Sequence, residues 1–191
     1  GRPTTDATLV CRLIDRPLRP LFPKTYHNDT QVIISVLSSD EENPYDALGI
    51  VGSSISLAIS DIPFRDPVGA CVIGLIDDEL IVNPTYEQLQ ESKLDLTVAG
   101  TEDAIMMVES GSEFVSEEML LDALKLAQEV NGQIVRFIKE IVDEVGKSKW
   151  EVEEDDDSLE AIKEKLNSSY LEDIKKIVRS KDNKTEKIEK Y

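Results

Sequence analysis

Two hairpins followed by one long amphipathic helix limit what this chain can fold into. Residues 69–76 (GACVIGLI) and 79–84 (ELIVNP) are apolar runs that flank Asp77-Asp78, a two-residue polar turn. The run LDLTVAG (94–100) alternates cleanly, and AIMMVES (104–110) returns after the polar turn Thr101-Glu102-Asp103, which makes a second hairpin. Ser116 then stands at a helix N-cap position. Leu120, Leu124, Ala127, Ile134, Ile138, Ile141 and Val145 recur at helical spacing, and Gly146 ends the pattern. Gly132 inside that helix costs about 1 kcal/mol relative to alanine. The expected class is α/β of the α+β kind, an antiparallel sheet covered by helices.

Upstream, residues 4–15 read as a helix with Thr4, Thr5 or Asp6 as its cap and Leu9, Val10, Leu13 and Ile14 as its apolar stripe. Pro17 disfavours helical geometry at Arg16, so the helix is expected to end there. QVIISVLS (31–38) is a β-branched apolar run and predicts a buried strand. The stretch 43–60 predicts a helix with Asn43 as cap and Pro44 at its first position, with a strand as the alternative. Its Gly49, Gly52, Ser53 and Ser54 suit close approach to a sheet.

Downstream, GKSKWEVEEDDDS (146–158) is an acidic, structure-poor linker, and from Ser158 onward Leu159, Ile162, Leu166, Ile174 and Val178 predict helix without any β signal. The expected organisation is an α/β body over 1–148 and the start of an all-helical segment over 149–191. The first residue is Gly1 rather than methionine and the last stretch is an uninterrupted helical pattern, so a fragment of a longer protein is expected. No apolar run approaches the length needed to span a bilayer. Cys11 and Cys71 both sit in apolar runs. Cys11 is expected to be packed, and a reducing, cytoplasmic setting is the simplest expectation.

With 21 basic and 39 acidic residues the net charge is −18, which alone argues against a nucleic-acid partner. The distribution says more. Residues 1–24 hold Arg2, Arg12, Arg16, Arg19 and Lys24 against only Asp6 and Asp15. Within RLIDRPLRPLFP (12–23), Pro17 and Pro20 bias the chain toward polyproline II, where Arg16 and Arg19 share one edge about 9 Å apart. Guanidinium forks so arrayed suit successive phosphates. Two other readings stand beside this one. Arg12 also suits a cation in the last turn of a helix, Arg16 and Arg19 suit partners of Asp15 or another carboxylate, and Pro17-x-x-Pro20 satisfies the pattern of an SH3-type ligand. No residue combination forms a nucleophile–base pair or a metal cage. Asp77-Asp78-Glu79 and Asp155–Asp157 read as solvated acids, His27 lacks a triad partner, and Glu109 stands out from no other acid.

GRPTTDATLVCRLIDRPLRPLFP, VGSSISLAISDIPFRDPVGA and LIVNPTYEQLQESKLDLTVAGTEDAIMMVES together resemble the first ribonuclease PH-like core domain of the polynucleotide phosphorylase family. The likeness covers residues 1 to about 150, and the remainder resembles that family's helical linker domain. The resemblance implies an incomplete ribonuclease PH-like fold (ribosomal protein S5 domain 2-like) that lacks its N-terminal strands. It implies 3′-to-5′ degradation of single-stranded RNA with inorganic phosphate as co-substrate, in mRNA degradation and RNA processing. It also implies a homotrimer, other RNA-degradation proteins as partners, and Mg2+ or Mn2+ bound in a second core domain outside this chain. No catalytic or metal residue is then expected here, and Arg12, Arg16, Arg19 and Arg2 are the implied RNA or phosphate contacts. The competing class is a non-catalytic RNA-binding ring subunit of exosome type.

Overall fold

The computed structural model describes residues 1–152, 157–180 and 185. The chain divides into two compact units, Gly1–Val152 and Glu153–Tyr191.

The first unit is built on the two hairpins. Strands β1 (Gly69–Ile76), β2 (Glu79–Val82), β3 (Leu94–Gly100) and β4 (Ile105–Ser112) form one antiparallel sheet in the order β2-β1-β3-β4. Ile76 opposes Glu79, and both turn residues, Asp77 (φ 50°) and Asp78 (φ 62°), adopt the left-handed geometry that a tight hairpin requires. Alternation sorts the two faces. Cys71, Ile73, Leu75, Leu94, Leu96 and Val98 cluster with Ala123 and Ala127 of the long helix, while Ala70, Val72, Ala99 and Met107 belong to a second cluster with the N-terminal helices.

Four helices complete this arrangement. α1 (Thr5–Leu18) is capped by Thr4, whose hydroxyl accepts from the Ala7 amide, and it continues into a 3-10 turn at Arg19–Leu21. α2 (Asp46–Ile59) starts two residues after Pro44, with Tyr45 rather than Asn43 at the cap position; Asn43 instead hydrogen-bonds Asp40 in the preceding turn. Ser54 of α2 is fully buried and accepts from the Val68 amide at 2.7 Å, while Gly49 lies against Ile14 of α1 rather than the sheet. A short helix α3 (Tyr86–Glu91) carries a Thr85/Gln88 capping box that the sequence displays openly. α4 (Glu117–Val145) is capped by Ser116, as expected, but its buried face is Ala123, Ala127, Asn131, Gly132, Val135 and Ile138. The small residues in that set rotate the stripe away from Val145, which is exposed, and admit the sheet close to the helix axis.

Three expectations fail here. The run 31–38 is not a buried strand. It has no regular secondary structure and carries no backbone hydrogen bond among the described residues, and Ile33 and Leu37 are 78% and 94% exposed. A β-branched pattern selects extended backbone, yet a strand also needs a neighbour, and the described chain supplies none. α1 does not stop before Pro17. The helix accepts the missing amide bond because Ile14, Pro17, Leu18 and Leu21 bury one continuous face. That burial, about 1.5–3 kcal/mol per large side chain, offsets the roughly 3 kcal/mol penalty of a helical proline. Cys11 is exposed rather than packed, whereas Cys71 is buried and its thiol is pushed up to about 12 by burial.

The stretch leaving α4 is better ordered than its composition suggests. Lys147 N–H donates to Ile59 O and Trp150 N–H to Asp61 O. Between them Lys149 Nζ donates to the carbonyls of Leu57, Ala58 and Ser60 at 2.9, 2.8 and 2.7 Å, closing the C-terminus of α2 with a cation. Lys149→Met keeps the stem and removes all three bonds. It is expected to cost about 2 kcal/mol and lower the melting temperature of the core by roughly 4–8 °C, read by calorimetry. An unchanged melt shows that solvent caps the helix equally well.

In the second unit, α5 (Asp157–Arg179) agrees with the helix expected from Ser158, and Ile162, Leu166, Tyr170 and Val178 are exposed along it. Asp155 and Asp156 lie outside the described residues.

Candidate nucleic-acid interface

Because α1 persists through Pro17, the arginines are arrayed by helical rather than polyproline geometry. At 3.6 residues per turn, Arg12, Arg16 and Arg19 fall within a sector about 60° wide and span about 10 Å of axis. The shared edge anticipated from the sequence therefore exists, with a tighter spacing and a different cause. Arg19 is the C-cap residue of α1 and keeps right-handed helical backbone, so it stays in line.

Each arginine is held differently. Arg12 is exposed and pairs with no acid among the described residues. Arg19 makes a two-pronged contact with Asp15, Nε to Oδ2 at 3.0 Å and Nη2 to Oδ1 at 2.7 Å. Arg16 Nη1 reaches Glu109 Oε2 on β4 at 2.7 Å, tying the helix to the sheet. Arg2 is exposed in the non-helical lead-in before Thr4, and the structure does not join it to the row. Beside the row, Cys11, Asp15, Arg19, Thr30 and Val32 line a groove of about 440 Å³ between α1 and the segment around residues 28–34.

The surroundings of Glu109 are acidic. Burial and then the Glu109 charge push the Asp95 carboxyl above its ordinary range, and burial and then Asp95 do the same to Asp46 at the start of α2. Glu109 opposes Thr97, two residues from Asp95 on β3, so the two acids are diagonal neighbours on the pleated surface. Sequence reasoning passed over Glu109, since nothing local links it to an arginine 93 positions away. Asp95 was more accessible, because alternation in LDLTVAG turns it away from buried Leu94 and Leu96.

Other cations of the first unit pair away from this row. Arg136 and Lys139 both bind Glu102, and Lys125 binds Asp122. Among the described residues no group of three or more His, Cys, Asp or Glu side chains is arranged to hold a metal ion. No described helix is long and apolar enough to cross a membrane.

Comparison with known proteins identifies the family. Residues 1–63 match the model of the 3′ exoribonuclease family, domain 1, and residues 66–130 match domain 2 of the same family. The chain belongs to the 3′ exoribonuclease family. Both matches fall within the first compact unit, the first over α1 and α2 and the second over the sheet and the first half of α4. A polyribonucleotide nucleotidyltransferase of Finegoldia magna is 51% identical over 182 residues, covering 95% of this chain and 25% of the relative. One from Alkaliphilus metalliredigens is 48% identical over 96% of this chain and 26% of its own length. One from Caldicellulosiruptor bescii is 51% identical over 79% and 22%. The chain thus spans about a quarter of the length of these relatives. The crystal structure of rice Rrp46 superposes with a TM-score of 0.60 at 16% identity, covering 74% of this chain and 68% of that one, a likeness of fold.

Proposed function

We propose that the full-length protein degrades single-stranded RNA from its 3′ end by phosphorolysis, releasing nucleoside diphosphates. The observation that carries this reading is the extended identity, near one half over most of the chain, to enzymes named polyribonucleotide nucleotidyltransferase. In this reading residues 1–148 are the first ribonuclease PH-like core domain without its N-terminal strands, and residues 149–191 begin the helical linker domain. The segment contributes binding rather than chemistry. Arg12, Arg16 and Arg19 grip RNA phosphates from α1, Arg2 adds a contact from the lead-in, and the sheet and α4 serve as scaffold for a homotrimer. Mg2+ or Mn2+ and the reacting groups belong to a second core domain beyond this segment, and the setting is cytoplasmic.

Full-length protein incubated with RNA and inorganic phosphate is expected to release nucleoside diphosphates, and residues 1–191 alone to release none. Nucleoside monophosphates from the full-length protein mean hydrolysis and overturn the reading. Binding of RNA without any product favours a non-catalytic ring subunit.

A further inference from the structure

Arg16 stands apart in what holds it. Arg19 is restrained by an acid of its own helix, whereas Arg16 is held by a carboxylate from a different element, Glu109 of β4. The contact uses a single guanidinium nitrogen, Nη1, so one hydrogen bond holds the pair and the two-pronged grip that a carboxylate or phosphate can accept is not made with Glu109. Both side chains are half exposed, 48% for Arg16 and 60% for Glu109, so solvent and incoming anions reach the pair. Glu109 also has a reason to keep a cation. Asp95 lies diagonally across the strand pair from it, and Asp46 lies beyond Asp95. Without Arg16 these acids face one another uncompensated. An exposed, singly hydrogen-bonded pair is weak enough to exchange, and its acid is a chemical stand-in for a phosphate oxygen.

Building on the reading of α1 as a phosphate-binding row, we propose that Glu109 is a competing counter-ion: it presets Arg16 in the RNA-free protein and must be displaced by an RNA phosphate, so that it weakens RNA binding. Glu109 is thus an affinity-setting residue that need not touch RNA itself. Every binding event in which Arg16 engages a phosphate first breaks the Arg16–Glu109 pair, and the apparent affinity falls by the fraction of protein in which that pair is closed.

The test uses full-length protein and a single-stranded oligoadenylate at low salt. Glu109→Gln is expected to tighten binding about two- to fivefold, the range of an exposed ion pair. The same substitution in an Arg16→Gln background is expected to change nothing, because the competition has lost its object. A gain that persists in that background reflects general charge reduction and overturns the proposal. If Glu109→Gln lowers the melting temperature and leaves affinity unchanged, the pair is a structural clamp and the proposal also falls. If Arg16→Gln alone weakens binding while Glu109→Gln does not tighten it, the competition is refuted and the row survives. If Arg16→Gln alone has no effect on binding, the row itself is refuted as far as Arg16 is concerned, and the competition with it.

Discussion

Replacing Arg12, Arg16 and Arg19 together by glutamine in the full-length protein is expected to flatten the salt dependence of RNA binding by about 2 in the slope of log affinity against log salt. Each phosphate contact on a single strand contributes about −0.7, so three contacts contribute roughly −2. Between about 50 and 200 mM salt, the wild type therefore loses roughly 20-fold more affinity than the variant. The loss is expected to be uniform across RNA sequences, because contacts to the backbone read no bases. The structural cost is small. Arg16–Glu109 and Arg19–Asp15 are exposed pairs, worth at most about 1 kcal/mol each, and Arg12 has no partner acid among the described residues. Glutamine keeps much of the apolar stem, so the buried face of α1 at Ile14, Pro17, Leu18 and Leu21 is left intact. Titrations at four or more salt concentrations, with a melt of the same samples, check both halves. An early melt with an unchanged salt slope means that the arginines hold the fold and do not hold RNA.

The parts of this fold that were legible in the sequence are those whose causes are local. Both hairpins follow from alternation and from turns that suit them, and the Thr4 and Ser116 caps follow from side chains that bond amides three residues on. What was not legible depends on partners distant in sequence. The run 31–38 carries a strand's composition, but strand formation is decided by hydrogen-bonding neighbours. Pro17 obeys its local penalty only until the packing of α1 on α2 is counted, and that packing brings Ile14 against Gly49, 35 residues later. The expected stripe of α4 is right at Ala127 and Ile138 and half-buried at Leu120 and Leu124, but close approach to the sheet adds the small residue Ala123 and leaves Val145 exposed. The candidate site divides in the same way. The arginine row is visible as a sequence feature under either helical or polyproline geometry. The acid that holds its middle member, and the acidic neighbours of that acid, appear only once β3 and β4 are paired in register.

Gly69→Ala is expected to destabilise this unit by about 3 kcal/mol. Gly69 opens β1 beneath α4, and a Cβ there stands 2.6 Å from the carbonyl oxygen of Asn131, 2.9 Å from its Cα and 3.1 Å from its carbonyl carbon. Those atoms are helix backbone, so no rotamer change relieves the clash; either the strand or α4 has to move. Movement is resisted by Asn131, which is fully buried and donates from Nδ2 to Val98 O at 3.2 Å, and by Ala123, Ala127 and Val135 seated in the core. The cost therefore lies at the upper end of the 1–3 kcal/mol range for overpacking, and the melting temperature falls by roughly 6–12 °C. Gly132→Ala is the control, one residue along the same helix. Its Cβ meets nothing nearer than Arg136 Nη1 at 3.4 Å and Glu102 O at 3.8 Å. With space available, the substitution removes the flexibility penalty of a helical glycine and is expected to stabilise the unit by up to about 1 kcal/mol. Calorimetry of the two variants thus tests the α4–β1 approach through the opposite signs of their shifts. If Gly69→Ala melts with the wild type, α4 yields freely at Asn131, and the tight seating of the long helix that sets its buried face is wrong.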